Sequence, residues 1–213
     1  AAYIMKQQNY ELACLITLKS LNPDSYMFQT AGTELVTLQA EAMNLSLLIQ
    51  ETAGEKEIEL VDLEIALRRA QNEYGIQGVV SGALFSTYQR DRIEKICDKL
   101  GLKMFSPLWH KPQNKHMEEL LRAGFKIILT AVAAEGLDKT WLNREITSQD
   151  IDKLKQLHTQ SKLNVAGEGG EFESVVLDCP LFLQKIKIDK AEIVEQGQHA
   201  AKLIIKQAHL ELK

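Results

Sequence analysis

Between Val165 and Ser174 the chain reads VAGEGGEFES, a segment crowded with glycines at 167, 169 and 170 and glutamates at 168, 171 and 173. Glycine lets the backbone take positive φ and come close to a ligand, so Gly169 and Gly170 are candidate substrate contacts. Glu168, Glu171 and Glu173 concentrate negative charge. A magnesium ion with its phosphates would use such carboxylate oxygens, and an ammonium ion or cationic substrate would be captured by them. The bland reading is a solvated acidic turn, which charge pattern alone favours.

A second constellation is SGALFSTYQRDR, Ser81 to Arg92. It lies where a buried strand should end and a helix begin. A turn of small residues there, including Gly82, Ala83 and Ser86, exposes backbone N–H groups and a positive helix end, which suits a nucleotide phosphate or ribose. Tyr88 can stack or hydrogen-bond, and Arg90 and Arg92 offer forked donors to phosphate. An ordinary βα turn followed by a solvated arginine face is the commoner case.

Asp138, Trp141 and Arg144 recur at three-residue spacing, so one helical turn would put a carboxylate, an aromatic plane and a guanidinium on one side, fit to grip a polar substrate. A helix cap, a core tryptophan and a surface ion pair would give the same pattern. Trp109, after Pro107, reads either as a binding-site wall or as packing. The histidines show no HxxxH or HExxH spacing, which argues against a metal site. Cys14 and Cys97 sit in apolar patterns and read as small core residues. No GxSxG, Walker or GxGxxG motif is present.

The elements that must position these residues alternate as βαβ units through the first two thirds, which implies a parallel sheet. Strands are expected over Glu11–Leu18, Leu45–Ile49, Gly78–Ser81 and Lys103–Ser106. Helices are expected over Thr33–Asn44, Glu57–Tyr74, Gln89–Leu100 and Asn114–Ala123. Ligand loops then fall at the carboxyl ends of the strands: Asn22–Gly32, Gly82–Tyr88 and Pro107–Pro112. From Phe125 the texture changes. An apolar strand, FKIILTAVAA, leads to a loop, a helix over Gln149–Ser161, the glycine-acid segment, and strand-like runs at Lys185–Ile188 and Leu203–Lys206, a second and mixed α/β part.

Composition bounds the rest. The 213 residues are 45% hydrophobic and 25% charged, with a net charge of -4, so no global basic field invites nucleic acid. Three cysteines without a CxxC pair indicate neither a disulfide framework nor a zinc knuckle and imply a reducing cytoplasm. No apolar run approaches the roughly 20 residues that span a bilayer. Oligomeric state is left open, a homo-oligomer included.

Taken in order, SYMFQT (25–30), SGALFSTYQRDRIEK (81–95), GLDKTWLNR (136–144), AGEGGEFES (166–174) and KLIIKQAHLE (202–211) resemble the diphthine–ammonia ligase family over nearly the whole chain. The resemblance implies a Rossmann-like PP-loop ATP pyrophosphatase domain over residues 1–124 and a smaller mixed α/β substrate-binding domain over 125–213. It also implies ATP and Mg²⁺ as cofactors, and ATP-dependent amidation of diphthine on translation elongation factor 2 by ammonium. AMP and pyrophosphate would be released through an acyl-adenylate. On this reading Glu168, Glu171 and Glu173 are catalytic candidates that bind and deprotonate ammonium. Gly82, Ala83, Ser86, Tyr88, Arg90 and Arg92 hold nucleotide. Trp109, Asp138, Trp141, Arg144, Gly169 and Gly170 face the substrate.

Two departures accompany the resemblance. Asn143 stands where a glycine is usual before Arg144. Family members also carry a strand ending in SGGKDS directly before a helix like AAYIMKQQ, with which this chain opens. The enzyme reading therefore expects that loop upstream, whereas a chain truly starting at Ala1 would lack the first strand and the pyrophosphate cradle. The other readings are a different PP-loop enzyme that amidates or thiolates a small molecule or tRNA, and a nucleotide-binding module without turnover. A related bacterial branch has Asn and His where this chain has Gly169 and Glu173, so EGGEFES favours the diphthine branch.

Overall fold

The computed structural model describes residues 1–20, 35–55 and 58–213. The expected loop at Asn22–Gly32, the SYMFQT segment and the first residues of two expected helices, at 33–34 and 57, lie outside the described residues. The chain divides into two compact units, residues 1–30 with 45–110, and residues 31–44 with 111–213.

The first unit carries helix α1 (Ala2–Gln7) and strand β1 (Cys14–Ser20), then strand β2 (Ser46–Thr52) and helix α3 (Ile58–Tyr74), with helix α2 (Val36–Ala42) belonging to the second unit. Strand β3 (Gly78–Val80), helix α4 (Thr87–Leu100) and strand β4 (Lys103–Phe105) complete it. β1 pairs parallel with β2, and β3 parallel with β4, as the alternating pattern requires. Helix α3 buries Leu63, Ala66, Leu67 and Ala70, one face at helical spacing. With Leu18, Ile96, Cys97 and Leu102, residues of that face form the unit's core. Helix α4 opens on the Ser86 side chain and stops at Gly101, whose φ of 68° glycine adopts without strain.

The second unit is built on an antiparallel sheet in the order β6-β5-β8-β7. It contains helix α5 (Gln113–Arg122), strand β5 (Lys126–Ala133), a 3₁₀ turn (Lys139–Trp141) and helix α6 (Ser148–Ser161), then strands β6 (Phe172–Asp178), β7 (Gln184–Gly197) and β8 (Ala200–Leu212). Strand β5 is apolar almost throughout and buried from Ile127 to Thr130, as befits an inner strand. Its Ile128, Leu129 and Val132 share one core cluster with Leu154, Phe172 and Leu203. Two features differ from the sequence reading. Strand β6 starts inside the glycine-acid segment, and the short runs at 185–188 and 203–206 are parts of one long hairpin, β7–β8. A cross-strand ladder extends the pairing past the apolar stretches that signalled it.

Candidate functional site

In the first unit, the loops after β3 and β4 meet. The Ser81 amide donates to the Phe105 carbonyl at 2.9 Å, and the His110 amide to the Leu84 carbonyl at 2.9 Å. His110 reaches this contact with a φ of 58°, uncommon for a residue with a side chain. Inside the first loop, the Ser81 hydroxyl accepts from the Ala83 amide and the Ser86 hydroxyl caps α4 by accepting from the Gln89 amide, each at 3.3 Å. Ala83 and Leu84 are buried and fix the loop to the core, so Ala83 serves as an anchor. Gly82 is exposed, with open space around its α-carbon.

On this base stands a group of rings and cations. Exposed Phe85 stacks on His110 with centroids 5.7 Å apart, and His110 lies 4.9 Å from the Trp109 ring. The Arg90 guanidinium sits 4.8 Å from the Trp109 ring and 3.4 Å from Glu94. The Arg92 guanidinium covers the Tyr88 ring at 3.4 Å. Arg92 also donates to the Tyr88 carbonyl at 3.5 Å. Two guanidinium groups and a set of aromatic rings thus share one end of the parallel strands. The Ser106 hydroxyl, at the end of β4, is buried and has no hydrogen-bond partner among the described residues, so a polar group brought to this end would find a donor there.

In the second unit, the glycine-acid segment forms a tight turn leading into β6. Gly167 and Gly170 take φ of 75° and 82°, and a β-carbon on Gly167 would lie 2.9 Å from both the Phe172 ring and its carbonyl. Glycine is required there by conformation and by space. Glu168, Gly169 and Gly170 are exposed, and Glu171 and Glu173 half-buried. The Glu171 carboxylate turns into its own loop. One oxygen accepts from the Asn164 amide at 2.8 Å and from the Asn164 side chain at 2.7 Å, and the other from the Gly169 amide at 2.8 Å. Gln113, the first residue of α5, continues the chain by donating to the Asn164 side-chain oxygen at 3.0 Å and accepting from the Ala166 amide at 2.9 Å.

Asp138, Trp141 and Arg144 are close in space but bound up in structure. Asp138 caps the 3₁₀ turn by accepting from the Thr140 hydroxyl and, at 2.8 Å, from the Thr140 amide, and these two bonds hold its carboxyl below the usual range. Trp141 is buried, with the Arg144 guanidinium 5.2 Å from its ring. Arg144 donates to the Thr140 carbonyl and to both oxygens of buried Asp150. Asp150 completes a capping box with Thr147 at the start of α6. Asn143 has a φ of 54°, the left-handed region where glycine is at home and asparagine is tolerated.

Burial pushes the Cys97 thiol up to about 11 and pulls the His116 imidazole down to about 4. Among the described residues no group of three His, Cys, Asp or Glu side chains gathers to hold a metal. Nor is any helix among the described residues long and apolar enough to cross a membrane. Sequence reasoning missed Phe85, His110, Gln113, Asn164 and Asp150. Phe85 lay within a motif already singled out, whereas Gln113 and Asn164 carry no local signal.

Two family models match: the diphthamide synthase N-terminal domain over residues 1–104 and the diphthamide synthase C-terminal domain over residues 112–210. The chain is 34% identical over its full length to a mouse protein named diphthine–ammonia ligase, covering 89% of that protein. It is 38% identical to the zebrafish protein of that name, with 83% of this chain and 74% of the relative covered. A Schizosaccharomyces pombe protein of the same name is 36% identical over 86% of this chain, which spans only 33% of that longer relative.

Proposed function

The chain belongs to the diphthamide synthase family, and from that premise we propose that it catalyses the ATP-dependent amidation of diphthine on translation elongation factor 2 with ammonium. The products are diphthamide, AMP and pyrophosphate, and the setting is the cytoplasm. The observation that carries this reading is the succession of both family domains along one chain, with likeness to the mouse ligase from end to end.

A carboxylate resists amines until one of its oxygens becomes a good leaving group. In the proposed reaction a diphthine carboxylate oxygen bonds to the α-phosphorus of ATP, and the bond to pyrophosphate breaks. Ammonia then attacks the acyl carbon, and AMP leaves with the original carboxylate oxygen. Mg²⁺ bound with the phosphates supplies charge neutralisation for the departing pyrophosphate. Arg90 and Arg92 donate to phosphate from their aromatic supports, Gly82 and Ser86 shape the approach, and Tyr88 and Trp109 flank it. Ammonium attacks only as neutral NH₃, so a carboxylate must accept its proton. Glu168, at the exposed tip of the turn, and Glu173 are the candidates for that role in this reading, while three N–H donors hold the oxygens of Glu171 within its own loop. Gly169 and Gly170 let the substrate come close, and residues 125–213 receive the protein partner.

The test is a product assay with ATP, Mg²⁺, ammonium and diphthine-bearing elongation factor 2. AMP and amide formed one for one, and only when ammonium and the protein substrate are both present, support the proposal. ADP with phosphate overturns it.

A further inference from the structure

The bonds around Glu171 join groups far apart in sequence into one device. Three N–H donors converge on its carboxylate, two of them from Asn164 on a single oxygen. A carboxylate only accepts hydrogen bonds, so it can satisfy all three, whereas an amide in its place would turn an NH₂ group toward a donor. Asn164 is held in turn by Gln113, which also takes the Ala166 amide. The packing leaves no slack. A β-carbon on Gly169 would lie 2.7 Å from the Asn164 side-chain nitrogen and 2.8 Å from a Glu171 oxygen.

We infer that Gln113, Asn164 and Glu171 are positioning residues, a relay that fixes the exposed turn Glu168–Gly169–Gly170 in the shape the amidation needs, with Glu171 itself not touching the reacting groups. The inference rests on the function proposed above. Of the three clustered glutamates, Glu171 has its oxygens turned inward onto Asn164 and Gly169, while Glu168 lies at the exposed tip. Charge-assisted bonds to a carboxylate are the strong kind, which suits a device that must hold a glycine-rich turn against its own entropy.

The relay makes a specific prediction about coupling. Residues that act through one network lose their effect together, so damage at one member leaves little for the next to remove. Misplacing a loop by about an ångström costs on the order of a hundredfold in rate.

The experiment compares full-length Glu171→Gln, Asn164→Ala, Gly169→Ala and the Glu171→Gln/Asn164→Ala double variant with the unaltered chain. The readouts are kcat/KM for ammonium, its pH profile, and amide hydrogen exchange over residues 164–171 without substrates. The relay predicts that each single variant loses on the order of a hundredfold in kcat/KM, that the double variant is no worse, that the pH profile keeps its shape, and that turn amides exchange faster. Losses that multiply in the double variant, or a pH limb that vanishes only in Glu171→Gln, would make Glu171 a group in direct contact with the reaction and overturn the inference. An unaltered chain without amidation activity would refute the proposed function instead. The exchange arm then decides the relay alone, in its favour if the turn loosens in Asn164→Ala and Gly169→Ala, against it if exchange is unchanged.

Discussion

Arg144 and Asp150 meet as a two-pronged pair, with one guanidinium nitrogen 2.8 Å from one carboxylate oxygen and a second nitrogen 3.0 Å from the other. The same carboxylate accepts from the Thr147 amide at 2.9 Å, so one buried side chain ties the Trp141 turn to the start of α6. Desolvation alone would raise the Asp150 pKa. The Arg144 and Thr147 hydrogen bonds outweigh it and hold the group at about 2, below its ordinary 3.8.

Asp150→Asn should therefore destabilise the fold by roughly 1–3 kcal/mol, measured by urea unfolding near neutral pH. A depressed carboxylate pKa contributes stability that is complete above the unfolded value and lost as pH falls through the folded one. The gap between the unaltered chain and Asp150→Asn should stay constant down to about pH 4 and close toward about pH 2. A gap independent of pH across that window would contradict the pairing.

Gly136 and Gly82 make a matched contrast. Gly136 has a φ of 88°, and a β-carbon there would come within 2.4 Å of the Leu157 side chain, whereas around Gly82 the space is open. Gly136→Ala should lower stability by about 1–3 kcal/mol and Gly82→Ala should leave the melting temperature unchanged. Differential scanning calorimetry of the two variants reads both outcomes.

Arg90 and Trp109 are predicted to act together on nucleotide. Arg90→Ala removes a forked donor and should raise the KM for ATP on the order of tenfold, and Trp109→Ala, which removes the guanidinium's support, should raise it in the same direction. Initial rates at varied ATP with saturating ammonium test this. An unchanged KM in both variants would remove the pair from the nucleotide site.

Cys97 is fully buried, with a thiol pushed up by desolvation. Iodoacetamide near neutral pH should leave it unmodified in the folded chain and alkylate it in urea, as peptide mass spectrometry would show. Labelling of the folded chain would mean that the first unit opens far more readily than its core suggests.

The helices and parallel strands of the first unit were legible because their signals are local. Ile93, Ile96, Cys97 and Leu100 recur at helical spacing on α4, and short apolar runs bounded by glycine mark β3 and β4. The start of β6 was hidden because Glu173 and Ser174 interrupt the apolar run and the neighbouring glycines read as loop. Asp138, Trp141 and Arg144 were found as a group, but spacing could not show that Asp150 would claim Arg144 or that Asp138 would cap a turn. Gln113 and Asn164 escaped altogether, since their bond joins positions 51 residues apart and no pattern in either stretch anticipates it. Asn143 is the opposite case. A substitution that left the loop's shape open turns out to occupy a left-handed position that asparagine can adopt.

The most direct test of the proposed chemistry follows one oxygen atom. Diphthine-bearing elongation factor 2 carrying ¹⁸O in the diphthine carboxylate is converted with ATP and ammonium, and the nucleotide and phosphate products are analysed by mass spectrometry. Attack of the carboxylate on the α-phosphorus followed by ammonia at the acyl carbon must leave one ¹⁸O in AMP and none in pyrophosphate. Label in inorganic phosphate, with ADP as the nucleotide product, would mean that the γ-phosphate activates the acid and that the chain is not an AMP-forming ligase.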